Sequence, residues 1–185
     1  MGVSRMPKLA PTLTILVAAL SLSGCLISTD VYTGQSNTSK REFLSYAGAR
    51  SPVFLDVIGA SNYAAAAARH ASGSVPGLPT VFTAVRTEAG QPGFHVALAL
   101  DAPANARLET LCAGTPIPPV QRRSSRGILA AFCAGGEPIS GARAKIPSHS
   151  GPDDPEFARA VTMVMVEMFP INQPDRENQR QWITN

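Results

Sequence analysis

The feature that most limits what this chain can fold into is its opening. Leu9 to Leu22 is an apolar stretch, broken by Pro11 and softened by Thr12, Thr14 and Ser21. Arg5 and Lys8 precede it, and no acidic residue occurs before Asp30. The stretch is too short to cross a bilayer, which takes about 20 apolar residues. A positive start, a short apolar run and then small residues make up a cleaved export signal. Residues 1–24 then contribute nothing to a folded core.

The run closes with Leu22-Ser23-Gly24-Cys25. This segment resembles the lipobox of bacterial lipoproteins, in which a Leu, two small residues and a Cys end the apolar region. The resemblance implies that the Cys25 thiol carries a diacylglyceryl group, that cleavage falls just before it, and that the new N-terminus is acylated, with palmitate-type chains. Small side chains at Ser23 and Gly24 suit close approach of a peptidase to the backbone. One acyl chain binds a membrane marginally, whereas two or three anchor it stably. Leu26, rather than Asp, at the second mature position implies the outer membrane and its periplasmic face. The resemblance covers only this segment, and no family is suggested for the rest of the chain.

A length of 185 residues suits one domain. The chain is 44% hydrophobic and 16% charged, too apolar and too weakly charged for wholesale disorder. Its 16 prolines and 15 glycines favour a loop-rich domain over a helical bundle. The formal charge of +3 falls to near neutrality once Arg5 and Lys8 leave with the signal. Nucleic acid is therefore not an expected partner; the expected partners are the membrane, through the lipid, and an envelope protein.

With Cys25 given to lipid, Cys112 and Cys133 remain as a pair suited to an oxidising compartment. Their bond closes a loop of about 20 residues, worth roughly 3 kcal/mol in the chain-entropy account. Both sit in one local frame, Leu108-x-x-x-Cys112-Ala113-Gly114 and Leu129-x-x-x-Cys133-Ala134-Gly135, an echo that raises a duplicated half-unit. No Cys-x-x-Cys occurs, and His70, His95 and His149 are scattered, so neither a redox pair nor a metal site is expected.

Four segments divide the chain: the signal at 1–24, a lipidated Cys and flexible spacer at 25–50, a domain at 51–170 and a polar tail at 171–185 containing Trp182. The spacer reading follows from the small polar composition of Leu26 to Arg41. Val53 to Ile58 reads as a buried strand ending at Gly59. Asn62 to Ala71, with five consecutive alanines, reads as a helix capped by Ser61 or Asn62 and ended by Gly73. Thr80–Thr87 and Phe94–Leu100 flank the turn-rich Ala89–Gly93 and predict a first hairpin. On Phe94–Leu100 the even positions predict one buried face, and His95, Ala97 and Ala99 a thinly covered one. Gly127–Ala134 and Ile139–Ile146 predict a second hairpin, and Ala104–Ala113 a short helix. Asp154 as cap and Pro155 at the first helical position predict a helix to about Phe169. It is apolar around most of its circumference, with Met163, Met165 and Met168 as core filler.

Gly59-Ala60-Ser61-Asn62-Tyr63 lies where a strand meets a helix, as the Gly-x-Ser-x-Gly elbow of α/β-hydrolases does. In that reading Ser61 is the nucleophile, His149 or His70 the base, and Asp101 or Asp153 its orienting acid. Tyr63 in place of the last glycine, the short chain and the hairpins all count against it, and Ser61 also serves as a plain helix cap. Arg122, Arg123 and Arg126 form the densest positive patch, suited to phosphates or an acidic envelope partner or simply to solvent. His149, between Ser148 and Ser150 and near Asp153 and Asp154, reads either as a metal or pH-sensitive site or as a satisfied loop histidine, and the second reading is preferred. No cofactor motif is present.

These readings predict an α+β domain: a small antiparallel sheet of two hairpins plus a further strand, packed by the C-terminal helix and stapled by one disulfide. The expected role is a non-enzymatic accessory or binding module tethered to the envelope; the alternative is a small periplasmic serine hydrolase using Ser61.

Overall fold

A computed structural model describes residues 28–31, 33–119, 127–146 and 150–171. The strands are β1 (Ser28–Val31), β2 (Val53–Ile58), β3 (Phe82–Thr83), β4 (Phe94–Leu100), β5 (Gly127–Ala134) and β6 (Glu137–Lys145). The helices are α1 (Asn37–Ala47), α2 (Ala64–Ala71), α3 (Leu108–Cys112) and α4 (Pro155–Met168). All six strands join one sheet in the order β1-β6-β5-β4-β2-β3. The fold is α+β, but the sheet is mixed rather than antiparallel: β2 runs parallel to both β3 and β4.

The parallel part follows from chain chemistry. β2 is a Val-Phe-Leu-Asp-Val-Ile run buried on both faces at most positions, as strands flanked by parallel neighbours are. Gly59, at φ +78, stops it in a conformation that a side chain would strain. A 3-10 turn at Ser61–Tyr63 then leads into α2. The cap of α2 is Tyr63, without a side-chain cap bond, rather than Ser61 or Asn62; the helix itself begins at Ala64, two residues later than the sequence predicts. Ala66, Ala67, Ala68 and Ala71 are buried, and such small side chains let α2 lie close to both α4 and the sheet.

The predicted first hairpin does not form. β3 is two residues long and pairs with β2, as Val53↔Phe82 and Phe54↔Thr83, while β4 pairs with β2 on its other edge. Helix α2 supplies the long crossover that parallel pairing needs. Past β3, the Thr83 hydroxyl accepts from Val85 N–H at 3.1 Å and donates to Glu88 Oε2 at 2.6 Å. These local bonds turn the chain into a 3-10 turn at Arg86–Glu88 instead of extending the strand.

The second hairpin does form. β5 and β6 pair antiparallel from Gly127↔Lys145 to Ala134↔Glu137, turning at Gly135, φ +59. α4 begins as its sequence predicts, with the Asp154 carboxylate accepting from Glu156 N–H at 2.8 Å and Pro155 in the first turn. Its buried side chains, Phe157, Ala160, Val161, Val164, Met165 and Met168, make one stripe with helical period facing β5, β6 and α2. Arg159, Thr162 and Val166 are exposed, so burial covers less of its circumference than the composition suggests. At its far end the Ser140 hydroxyl donates to Met168 O at 2.5 Å.

The expected spacer at 25–50 does not hold over its described residues, which carry a strand and a helix. β1 forms an edge of the sheet against β6, from Ser28↔Ala144 to Val31↔Gly141. α1 is capped by Ser36, whose hydroxyl accepts from Ser39 N–H, and buries Lys40, Leu44 and Ala47. Arg41 donates to Phe169 O at 2.8 Å and Pro76 O at 2.7 Å, fastening α1 to the end of α4. An edge strand held by backbone pairing needs little apolar sequence, which is why a polar segment can fold here.

Two cores result. One lies between the sheet and α1, α2 and α4; the other lies under α3 and contains Ala97, Ala99, Leu108, Leu111, Leu129, Ala131 and the disulfide. The thin face of β4 is thus fully covered over Ala97 and Ala99. The two cysteine frames are not structural repeats, because Cys112 ends a helix and Cys133 lies in a strand.

Candidate functional site

Among the described residues, Ser61, His70, Asp101 and Asp153 are not brought together as a catalytic set. Ser61 is exposed on the turn after β2. His70 lies nine positions further along the same helical segment, so about 13 Å of axial rise separates them. The His70 ring packs edge-on against Phe157, with centroids 6.2 Å apart, and its buried Nε2 has no hydrogen-bond partner among the described residues. Asp153 pairs with Arg69 at 2.9 Å. Asp101 follows β4 in a left-handed conformation, φ +52, which is uncommon for a residue with a side chain. Cys25, Arg122, Arg123, Arg126 and His149 lie outside the described residues, as does Trp182.

A different polar cluster appears where α3 does not reach. Alternation along the parallel pair puts Phe54, Asp56 and Ile58 of β2 on the same face as His95, Ala97 and Ala99 of β4. On β3, Thr83 shares that face beside Phe54. The turn at Arg86–Glu88 crosses above, holding the Arg86 guanidinium 4.3 Å from the Phe54 ring centroid. His95 sits directly across from Phe54 on one side and Cys133 on the other. Burial holds its imidazole below the ordinary value of 6.5, the positive charge of Arg86 pushes the same way, and Asp56 opposes both.

At neutral pH the cluster therefore presents a neutral imidazole between a cation and a carboxylate. Among the described residues no hydrogen bond joins Asp56 to His95, so they do not form an acid–base dyad. The arrangement suits binding: Arg86, seated on the buried Phe54 ring, for an anionic group, and His95 as donor or acceptor. His95 was visible in the sequence as an outward position on a strand. Its neighbours were not, because they meet it only when β2 lies beside β4.

Open clefts are also present among the described residues. One of about 560 Å³ lies between Val31, Thr33 and Gly34, the start of α3 and the β5–β6 turn, with Arg107, Glu109 and Glu137 on its walls. Another of about 390 Å³ runs along α1, between Arg41, Glu42, Leu78 and Ile171. On α1, Phe43 and Tyr46 are exposed and lean on Phe94 at 6.2 and 5.8 Å. Among the described residues no group of three or more His, Cys, Asp or Glu side chains could hold a metal. No described helix is long and apolar enough to cross a membrane.

Comparisons with protein-family models, with curated proteins and with solved structures gave no match to this chain.

Proposed function

We propose that this chain is a lipid-anchored protein of the bacterial envelope, cut before Cys25 and held at the periplasmic face of the outer membrane. There it works as a non-enzymatic accessory or binding module. The observation that carries the reading is Leu22-Ser23-Gly24-Cys25 closing a short apolar run behind Arg5 and Lys8. The Cys112–Cys133 disulfide supports an oxidising compartment. The action is local concentration: the lipid confines the domain to a thin layer in which an envelope partner is met. The Arg86–His95–Phe54 face and the exposed aromatics of α1 are surfaces such a partner can use, and Arg122, Arg123 and Arg126 add a basic stretch for acidic groups.

Intact-mass analysis of membrane-purified protein tests the anchor. A chain beginning at Cys25 with added acyl mass is expected, and Cys25→Ser abolishes it. An unmodified thiol with residues 1–24 retained would refute the reading. The hydrolase alternative keeps one favourable observation, an exposed Ser61 just after left-handed Gly59. Labelling by a fluorophosphonate that Ser61→Ala removes would establish it instead.

A further inference from the structure

The geometry points to one end of the sheet as the surface that meets the phospholipid headgroup layer, an inference resting on the lipid anchor proposed above. That end is formed by Ser28, Ala144–Lys145, Leu100–Asp101 and the turn Gly59–Ser61. The end carrying Phe43, Tyr46 and Phe94 faces away from the membrane.

The length of the tether decides this. β1 begins at Ser28, three residues after Cys25. Three residues span at most about 10 Å. A flexible spacer over the whole of residues 25–50 would have given roughly 25–30 Å and free tumbling. The sheet is longer than the tether: the seven residues of β4 cover about 23 Å. With β1 paired to β6, the aromatic end cannot replace the Ser28 end at the bilayer.

The register identifies which residues share the anchored end. Followed back towards Cys25, β1 leaves the sheet beyond Ser28↔Ala144, on the Lys145 side. Lys145 lies opposite Gly127, Ile128 opposite Leu100, and Ala99 opposite Ile58, so β6, β4 and β2 finish there and β5 begins there. The exposed described groups at this end are polar or small: Lys145, Ser61, Asn62 and Asp153, the last paired with Arg69. Large apolar side chains are exposed elsewhere. Phe43 and Tyr46 lean on the first residue of β4, Val81 precedes β3, and Ile171 follows the far end of α4. A polar end without large exposed apolar side chains matches a headgroup layer, and the aromatic end stays available to a partner in the periplasm.

Surface quenching tests the orientation. Full-length acylated protein is reconstituted into vesicles of phosphatidylethanolamine and phosphatidylglycerol doped with a nickel-chelating lipid. A fluorophore is placed at Lys145→Cys or Asn62→Cys, and in parallel at Tyr46→Cys or Ala49→Cys. Quenching several-fold stronger at the first two positions is expected; equal quenching, or stronger quenching at the second two, overturns the inference. Intact mass on the same samples separates the causes. Lipid at Cys25 with equal quenching defeats the orientation alone, whereas no lipid at Cys25 defeats the anchor and the orientation together. A long Gly/Ser insertion between Ile27 and Ser28 erases the contrast if the short tether produces it, and persistence of the contrast would overturn that cause.

Discussion

Cys112 closes a five-residue helix and Cys133 lies at the bulge of a central strand, yet their Cα atoms are 5.6 Å apart and their sulfurs are bonded. The bond holds α3 on a face of the sheet built almost wholly of small residues, where little apolar area would otherwise retain it. Removing it by Cys112→Ala with Cys133→Ala is expected to cost about 3 kcal/mol. Urea unfolding of the soluble domain measures this, and hydrogen exchange at Leu111 should rise before that at Leu98. An unchanged midpoint would show that packing alone secures α3.

Gly141 gives α3 its seat. A side-chain carbon built there would collide with the Leu108 methyl groups. Gly141→Val is expected to destabilise the domain by about 1–3 kcal/mol through overpacking. Combining it with Leu108→Ala should cost less than the two separate losses together, since the second change opens the space the first needs. Strict additivity in denaturant melts would count against the contact.

Arg41 distinguishes a folded N-terminal segment from a tether. Its guanidinium donates to two backbone carbonyls, Phe169 O and Pro76 O. Arg41→Met keeps most of the apolar stem and loses both bonds, at an expected cost of about 1–3 kcal/mol. Faster exchange of the Leu44 amide in the variant would locate the effect on α1. No loss of stability would mean that α1 contributes little to the cooperative fold.

His95 sets a pH dependence. Its pKa is lowered in the folded state by burial and by Arg86, so the unfolded chain binds the proton more tightly. Stability therefore falls as pH drops through 6.5 and levels off below the folded-state value, and it rises with pH across that window. His95→Gln should flatten this part of the profile. Arg86→Gln should narrow the window from its low-pH side, because the folded-state value rises towards 6.5 once the repelling cation is gone. A wild-type profile that is flat from pH 7 to below the folded-state value would contradict the assignment.

Much of the local structure was legible along the chain. Asp154-Pro155 marked the start of α4, Gly135-Gly136 marked the β5–β6 turn, and Gly59 marked the end of β2, because caps and left-handed turns depend on residues close in sequence. The candidate binding face was legible only in part. His95 stood out on its strand, but Asp56 and Arg86 come from segments 39 and 9 positions before it, joined by the pairing of β2 with β4 and the turn after β3.

What the sequence by itself determined is the list of apolar stripes, the breaks between them and the pairing of Cys112 with Cys133. Strand partners were decided by tertiary structure. Thr80–Thr87 has the alternation of a hairpin arm, yet it contributes a short parallel strand because α2 carries the chain back beside β2. The two Leu-x-x-x-Cys-Ala-Gly frames make the point most directly. Each ends at a left-handed glycine, Gly114 or Gly135, but the residues before one coil into α3 and those before the other extend into β5. Intrinsic preference between helix and strand differs by tenths of a kcal/mol per residue, whereas burial between two neighbouring strands is worth several times more for each large side chain. The glycine's backbone freedom is a local property and survives in both places; the conformation ahead of it belongs to whatever surface the segment packs against.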